Sequence, residues 1–276
     1  MNDDMDEIKR RAWFIIKLLL WYFFYQLVCT FGFGLLDDVA SLVTGSDIYF
    51  GENATLAASL FLSALLMIWH LVTFGYVRFS PRFFTEVSLG VLVRTAVLIF
   101  GSMYVFNVTL DWLPLPDLME DTFMDMGNEP LGVLSMALVA PLVEEMMFRG
   151  AIQGYLMRRC SNPWTAIVVS ALVFGVIHMN PVQVVYATLL GLVLGWIYYR
   201  TRSLLPVIAG HVLNNSVAVA SMKMWGSEDI EAITVDDKAV MLPVLLLIVA
   251  LLVPVVLKLN RELPSVPRPW RGKDEE

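Results

Sequence analysis

Residues 131–149 read LGVLSMALVAPLVEEMMFR, an apolar run that holds two adjacent carboxylates, Glu144 and Glu145, and ends in Arg149. The run is long enough for a membrane helix, because a hydrocarbon core of about 30 Å takes about 20 helical residues. A charged carboxylate that faced lipid there would cost about 2.5 kcal/mol or more. We therefore expect these side chains to face the interior of a helical bundle and to have partners there.

The composition of the whole chain indicates a polytopic membrane protein. Its 276 residues are 58% hydrophobic and 16% charged, against about 45–50% apolar and 25% charged in soluble domains. Little lies outside the apolar segments except short loops and tails, so we predict one all-α membrane domain over 1–276. The net charge is −7, and no basic face is present that would bind a nucleic acid.

The apolar segments predict a bundle of about eight transmembrane helices. They are 12–35, 54–77, 90–110, 131–157, 163–179, 182–200, 204–222 and 239–258.

The basic residues predict the orientation of this bundle. They precede the first segment and follow the second, fourth, sixth and eighth: Lys9, Arg10, Arg11, Arg78, Arg82, Arg158, Arg159, Arg200, Arg202, Lys258, Arg261, Arg268, Arg271 and Lys273. The other connections carry mostly acidic residues, with Lys223 and Lys238 as exceptions: Asp37, Asp38, Asp111, Asp117, Glu120, Asp121 and Asp125. The positive-inside rule then places both termini in the cytoplasm. In a bacterium the protein would lie in the inner membrane.

Four polar residues on three of these segments are expected at similar depth. With about 1.5 Å per helical residue from the nearest basic end, Glu144 lies about 21 Å deep and His178 about 24 Å deep. The same count places His211 about 13 Å and Asn215 about 20 Å deep. This agreement predicts that the four side chains meet in one band of the bilayer.

The spacing around the two glutamates assigns them different partners. Glu145 and Arg149 are four residues apart, so they share a helix face and predict a buried ion pair. Glu144 points about 100° away and is the carboxylate left for chemistry. Pro141 removes one backbone hydrogen bond and is expected to kink the helix.

The two histidine motifs have the same helical spacing. His211 and Asn215 are four residues apart and share a face. Phe174 lies one turn before His178 and is expected to pack under its ring.

Three motifs together, Glu144-Glu145-x-x-x-Arg149, Phe174-x-x-x-His178 and His211-x-x-x-Asn215, resemble those of a known family. This is the CAAX-processing and bacteriocin-processing (CPBP) family of intramembrane proteases, related to the type II prenyl-protein endopeptidases. The similarity covers about 140–222, within a predicted core of about 131–222.

The resemblance implies an endopeptidase that acts on membrane proteins or lipid-anchored peptides. Carried over by motif position, Glu144 is the general base that activates water, and His178 helps to hold that water. His211 and Asn215 form the pair that stabilises the oxyanion. Glu145, Arg149 and Phe174 have supporting roles. The resemblance also implies a site open to the cytosol, whereas the depth count places Glu144 near mid-membrane.

Two questions stay open at this point: whether the site uses a metal, and whether the protein is an enzyme. The family has been described as metal-dependent, and Glu144, His178 and His211 are a possible three-ligand zinc set. The chain lacks His-Glu-x-x-His, so we favour glutamate-activated water without a cofactor and keep zinc as the alternative. A non-catalytic membrane-binding or bacteriocin-immunity protein that keeps the fold is the other function considered. A proton-coupled transporter is disfavoured, because no inverted repeat is visible.

Overall fold

The computed structural model describes residues 2–45, 51–77, 87–225 and 238–263, and every regular element in these ranges is a helix. The elements are α1 (Asn2–Thr44), α2 (Glu52–Thr73), α3 (Leu89–Asp111), the short α4 (Glu120–Gly127), α5 (Pro130–Met157), α6 (Pro163–Val176), α7 (Pro181–Thr201), α8 (Leu205–Trp225) and α9 (Lys238–Glu262).

The predicted polytopic helical bundle is confirmed. Within the described ranges, seven helices are long and apolar enough to cross a membrane. The observed helix α6 is shorter than the predicted segment 163–179. It has 14 residues and is about 21 Å long. The chain leaves the helix here because Met179 has a φ of 52° and Asn180 precedes Pro181, which disfavours helical backbone.

Helix α1 is longer than the predicted segment 12–35. It has 43 residues, a length of about 65 Å, and therefore exceeds the thickness of a bilayer. No proline interrupts residues 2–44, so nothing in the local sequence ends the helix at the membrane boundary.

Helix ends that carry basic residues meet at one end of the bundle, here called the basic end. Arg94 of α3 pairs with Glu262 of α9 across 3.0 Å, Nη2 to Oε1. Arg11 of α1 donates to the backbone carbonyl of Arg159 at 2.9 Å, and Arg200 donates to carbonyls at the end of α9. This grouping agrees with the charge pattern, although the side of the membrane stays a prediction. Five of the basic residues used for it lie outside the described ranges: Arg78, Arg82, Arg268, Arg271 and Lys273.

Helix α5 contains two wide π-helical turns, Ser135–Val139 and Met146–Gln153. In the first, the N–H of Ala140 bonds to the carbonyl of Ser135, five residues back. The next donor in that register is residue 141, a proline without an N–H. The carbonyl of Met136 therefore lacks its helical donor, and Asn215 of α8 donates to it at 3.0 Å.

Gly175, within the Phe174–His178 motif, allows α6 and α7 to approach closely. A Cβ atom on Gly175 would lie 2.6 Å from the backbone oxygen of Val184 and would also overlap the Thr188 hydroxyl. The backbone oxygen cannot move away as a flexible side chain would. Only glycine therefore fits this contact, which fixes the end of α6 just before the turn of His178.

We expect Gly175→Ala to destabilise the protein by about 1–3 kcal/mol, because the added methyl group overpacks the contact between α6 and α7. The measurement is thermal unfolding of the purified protein in one detergent. Gly32→Ala is the matched control, because a Cβ there meets nothing within 4 Å and alanine favours the helix. Equal unfolding midpoints for the two variants would contradict the packing argument.

Candidate active site

A cavity of about 560 Å³ lies among α1, α2, α3, α5, α7 and α8. The four side chains to which the sequence assigned chemistry all line it: Glu144, His178, His211 and Asn215. Three elements that are far apart in the sequence thus bring these residues to one space inside the bundle. Their individual roles stay predictions.

The ion pair expected from the spacing of Glu145 and Arg149 is present. Arg149 Nη1 lies 2.9 Å from Glu145 Oε1, and both side chains are buried. The guanidinium also lies 4.5 Å from the centre of the Phe174 ring. Neither charged residue lines the cavity, so this pair lies behind the site rather than in it.

Glu145 has a second partner that helical spacing did not predict. Its Oε1 atom lies 2.8 Å from Nδ1 of His211 on α8. A carboxylate in this position accepts a hydrogen bond from Nδ1–H and fixes the orientation of the ring. The expectation that Glu145 is simply the partner of Arg149 is therefore incomplete, because Glu145 also holds His211.

Glu144 faces the other nitrogen of the same imidazole. Its Oε2 atom lies 3.7 Å from Nε2 of His211, which is longer than a hydrogen bond. Glu144 is buried at 8% exposure but still lines the cavity. The two neighbouring glutamates thus contact opposite sides of one histidine, one from behind and one from the cavity.

His178 lies in the turn after α6 and is half-buried. Its Nδ1 atom lies 2.8 Å from the backbone oxygen of Phe174. A carbonyl oxygen only accepts, so Nδ1 carries the proton in the neutral ring and Nε2 is left as an acceptor. The side chain can therefore accept a proton or a hydrogen bond from a molecule in the cavity.

Phe174 packs between the two histidines. Its ring makes edge-to-face contacts with His178 at 5.0 Å and with His211 at 5.7 Å between centroids. The packing with His178 is the contact that the sequence spacing predicts. With Arg149 on its face as well, Phe174 restricts the movement of both imidazole rings.

Asn215 is part of a polar chain between helices. Its Nδ2 donates to the carbonyl of Met136, and its Oδ1 accepts from Asn214 Nδ2 at 3.1 Å. Tyr186 of α7 donates to Asn214 Oδ1 at 2.6 Å. An amide nitrogen has two hydrogens, so the bond to Met136 leaves one donor for a ligand.

Residues 127–217 match the model of a protein family described as "Type II CAAX prenyl endopeptidase Rce1-like". The matched range contains all three motifs and the four residues to which the sequence assigned chemistry. The match covers the motif-bearing segment, about a third of the chain. The resemblance inferred from the three motifs is therefore confirmed, and the membrane-length helices make the chain an integral membrane protein.

A relative of this type II CAAX endopeptidase-like segment is known in Bacillus subtilis (strain 168). It is named "Putative membrane peptidase YdiL" and is 29% identical over 90 residues, which are 33% of this chain and 36% of the relative. The chain thus aligns with about a third of that relative's length. No solved structure matches the chain.

The structure does not arrange the three candidate zinc ligands as a metal site. They are Glu144, His178 and His211. Among the described residues, no group of three or more His, Cys, Asp or Glu side chains is arranged to hold a metal ion. Nδ1 of His211 is engaged by Glu145 and Nδ1 of His178 by a backbone carbonyl, contacts that histidines binding a metal through Nε2 also make. Since no such group is found among the described residues, the proposed chemistry uses no zinc, and catalysis without a cofactor stays a prediction.

Two polar residues near the three motifs, Gln153 and Tyr22, were not singled out from the sequence. Gln153 is fully buried and donates to the carbonyl of Gly195 at 2.8 Å. Its signal was its spacing, since Glu145, Arg149 and Gln153 are separated by four-residue intervals on one helix face. Tyr22 of α1 lines the cavity, but nothing distinguishes it in sequence from the other aromatic residues of α1.

Asn180 is a third such residue and fixes the loop beside His178. It is fully buried, and its Nδ2 donates to Asp117 Oδ1 at 2.8 Å. Its Oδ1 accepts from the backbone N–H of Leu118 at 3.0 Å. The connection between α3 and α4 is thus bound to the turn that carries His178.

Proposed function

We propose that the protein is an intramembrane endopeptidase that hydrolyses membrane-associated proteins or peptides with water activated by Glu144. The observation that carries the proposal is the placement of Glu144 against His211 in a cavity inside a membrane bundle. Glu145 holds the same histidine from behind. A base in a cavity, next to an oriented imidazole, is an arrangement suited to acid–base hydrolysis.

Glu144 acts as the general base in this proposal. It takes a proton from a water molecule, and the resulting hydroxide attacks the carbonyl carbon of the peptide bond. The tetrahedral intermediate then collapses, the C–N bond breaks, and Glu144 returns its proton to the leaving nitrogen. Glu144 is buried but lines the cavity, so its carboxylate can reach a water molecule bound there.

His211 and Asn215 stabilise the negative oxygen of the intermediate. In this proposal His211 acts as an imidazolium, with Nδ1–H held by Glu145 and Nε2–H offered from the cavity side. Asn215 offers the amide hydrogen that Met136 does not use. One such donor is typically worth about 3–4 kcal/mol in the transition state. Glu145 is a positioning residue, because its carboxylate accepts a hydrogen bond from Nδ1 of His211 and keeps the ring oriented.

His178 holds the attacking water together with Glu144. The bond from its Nδ1 to the backbone leaves Nε2 as the acceptor, which can orient one water hydrogen while Glu144 takes the other. Phe174 supports this geometry by packing against the ring.

The proposed substrate is defined only by its chemistry and location. A cavity among membrane helices suits a peptide that is bound to the bilayer as a membrane protein or through a lipid anchor. The prenylated substrate in the family description is a property of the relatives, and the proposal for this chain extends to peptide bonds in general. In a bacterial cell the enzyme would act in the inner membrane.

The test is cleavage of membrane-tethered peptides by the purified protein in liposomes, read by mass spectrometry. We expect two fragments whose masses add up to the peptide plus one water, with ¹⁸O from labelled water in the new carboxyl group. We also expect cleavage to survive dialysis against a zinc chelator, because Glu144 rather than a metal activates the water. Activity that chelation removes and zinc restores would contradict the metal-free mechanism. A folded protein that binds such peptides without cutting them would favour the non-catalytic binding protein.

A further inference from the structure

The cavity extends from Glu144 to the end of the bundle opposite the basic end. Its lining includes Asp111, at the end of α3, and Asp117 and Glu120 in the connection to α4 and at its start. All three carboxylates are exposed. We call this the acidic mouth of the cavity, defined by Asp111, Asp117 and Glu120.

The lining of the cavity carries an excess of negative charge. Glu144 adds a fourth carboxylate to the three of the acidic mouth, and none of the described residues that line the cavity is a lysine or an arginine. Lys238 contacts the ring of Trp112 near this end but does not line the cavity. Like charges around a cleft of low dielectric reinforce one another and attract ligands of opposite charge.

The acidic mouth is fixed in place by its own contacts. Asn180 binds both Asp117 and the backbone of Leu118, and Pro114 and Pro116 restrict the backbone between α3 and this point. The connection between α3 and α4 therefore forms one wall of the cavity and is held by hydrogen bonds to the turn of His178. Its carboxylates are held beside the path to the site.

A buried hydroxyl inside the same cavity is available to a ligand. Ser135 lines the cavity and is only 4% exposed, and its Oγ has no hydrogen-bond partner among the described residues. A buried hydroxyl without a partner is costly, and the N–H or carbonyl group of a bound peptide would satisfy it. Ser135 thus offers, independently of the charges, a buried polar partner for a peptide bound in this cavity.

We propose that the acidic mouth admits substrates whose cleaved segment is followed or preceded by a flank of lysine or arginine. The proposal rests on the proposed function and names its substrate class: a peptide with an apolar part at the depth of Glu144 and a basic flank at the acidic mouth. With the orientation predicted from the basic residues, this flank lies on the non-cytoplasmic side. Membrane proteins rarely place basic residues there, so the acidic mouth separates such peptides from ordinary membrane segments.

The test measures binding rather than turnover, with Glu144→Gln in phosphatidylcholine nanodiscs. The probes are two synthetic fluorescent peptides with the same apolar segment, one with a lysine flank and one with a glutamate flank. We expect the lysine peptide to bind about tenfold more tightly at low salt, from several exposed charge pairs acting together. The preference should shrink as the salt concentration rises.

Variants at the acidic mouth decide whether these carboxylates are responsible. Asp111→Asn with Glu120→Gln should remove most of the preference for the lysine peptide. Asp121→Asn with Asp125→Asn is the matched control, because both are carboxylates of the neighbouring α4 but do not line the cavity. The control should keep the preference. Asp117 is left unchanged because it holds Asn180.

Equal binding of the two peptides, or no binding of either, would overturn the proposal. So would a preference that survives the mouth variant or is lost equally in the control. Because Glu144→Gln need not turn over any substrate, the outcome does not depend on catalysis. Selective binding by a protein that cleaves nothing would refute the proposed function and leave the acidic mouth as a binding site for basic flanks.

Discussion

We expect Glu144→Gln to fold normally and to lose peptide hydrolysis by at least about 10³-fold. Glutamine keeps the shape of the side chain but cannot take a proton from water. The change also removes a buried carboxylate. Its distance to His211, 3.7 Å, is longer than the 2.9 Å between Glu145 and Arg149. Stability should therefore stay the same or rise, since a desolvated charge is lost. The measurements are the initial rate of peptide cleavage in liposomes and the thermal unfolding midpoint in detergent.

Glu52→Gln is the matched control for this loss. Glu52 is an exposed carboxylate at the start of α2 and does not line the cavity, so its rate should equal that of the wild type. A folded Glu144→Gln protein that keeps more than about a tenth of the wild-type rate would contradict the role of Glu144 as general base.

The second large effect is expected from Arg149→Met, which should destabilise the protein by about 3–5 kcal/mol. Methionine fills much of the same space, but it leaves the buried carboxylate of Glu145 without its ion-pair partner. His211 depends on that carboxylate, so activity should fall as well. The measurement is unfolding in detergent by heat or denaturant.

A double variant separates lost charge pairing from lost packing. Adding Glu145→Gln to Arg149→Met removes the unpaired charge and should recover most of the stability, whereas activity should stay low because His211 has lost its carboxylate. Lys9→Met is the control, since its pair with Asp6 is largely exposed and exposed pairs contribute about 1 kcal/mol or less. Failure of the double variant to recover stability would show that Arg149 acts through packing alone.

The sequence predicted most of the helical architecture because two simple constraints govern it. Apolar length sets where a helix can cross the bilayer, and most predicted boundaries, such as 131–157 for α5, lie close to those observed. The contact between Glu145 and Arg149 was also predictable, because both residues belong to one helix and spacing alone brings them together.

The contacts between helices were not predictable in the same way. The bond from His211 to Glu145 depends on how α8 and α5 rotate against each other, which no spacing within either helix determines. The bond from Asn215 to Met136 depends on a carbonyl that is free only because α5 changes register before Pro141. The sequence contained the proline, but it indicated a kink rather than a wide turn.

The π turns of α5 make the active-site geometry sensitive to chain length as well as to side chains. Each such turn accommodates one more residue than an α-helical turn, and each residue rotates the remainder of the helix by about 100° around its axis. Loss of a single residue from a regular turn of α5 would turn the two glutamates away from their present partners by about 100°. Loss of one residue between Ser135 and Val139 would instead be absorbed by a return to regular winding, so the position of a deletion decides whether the site survives.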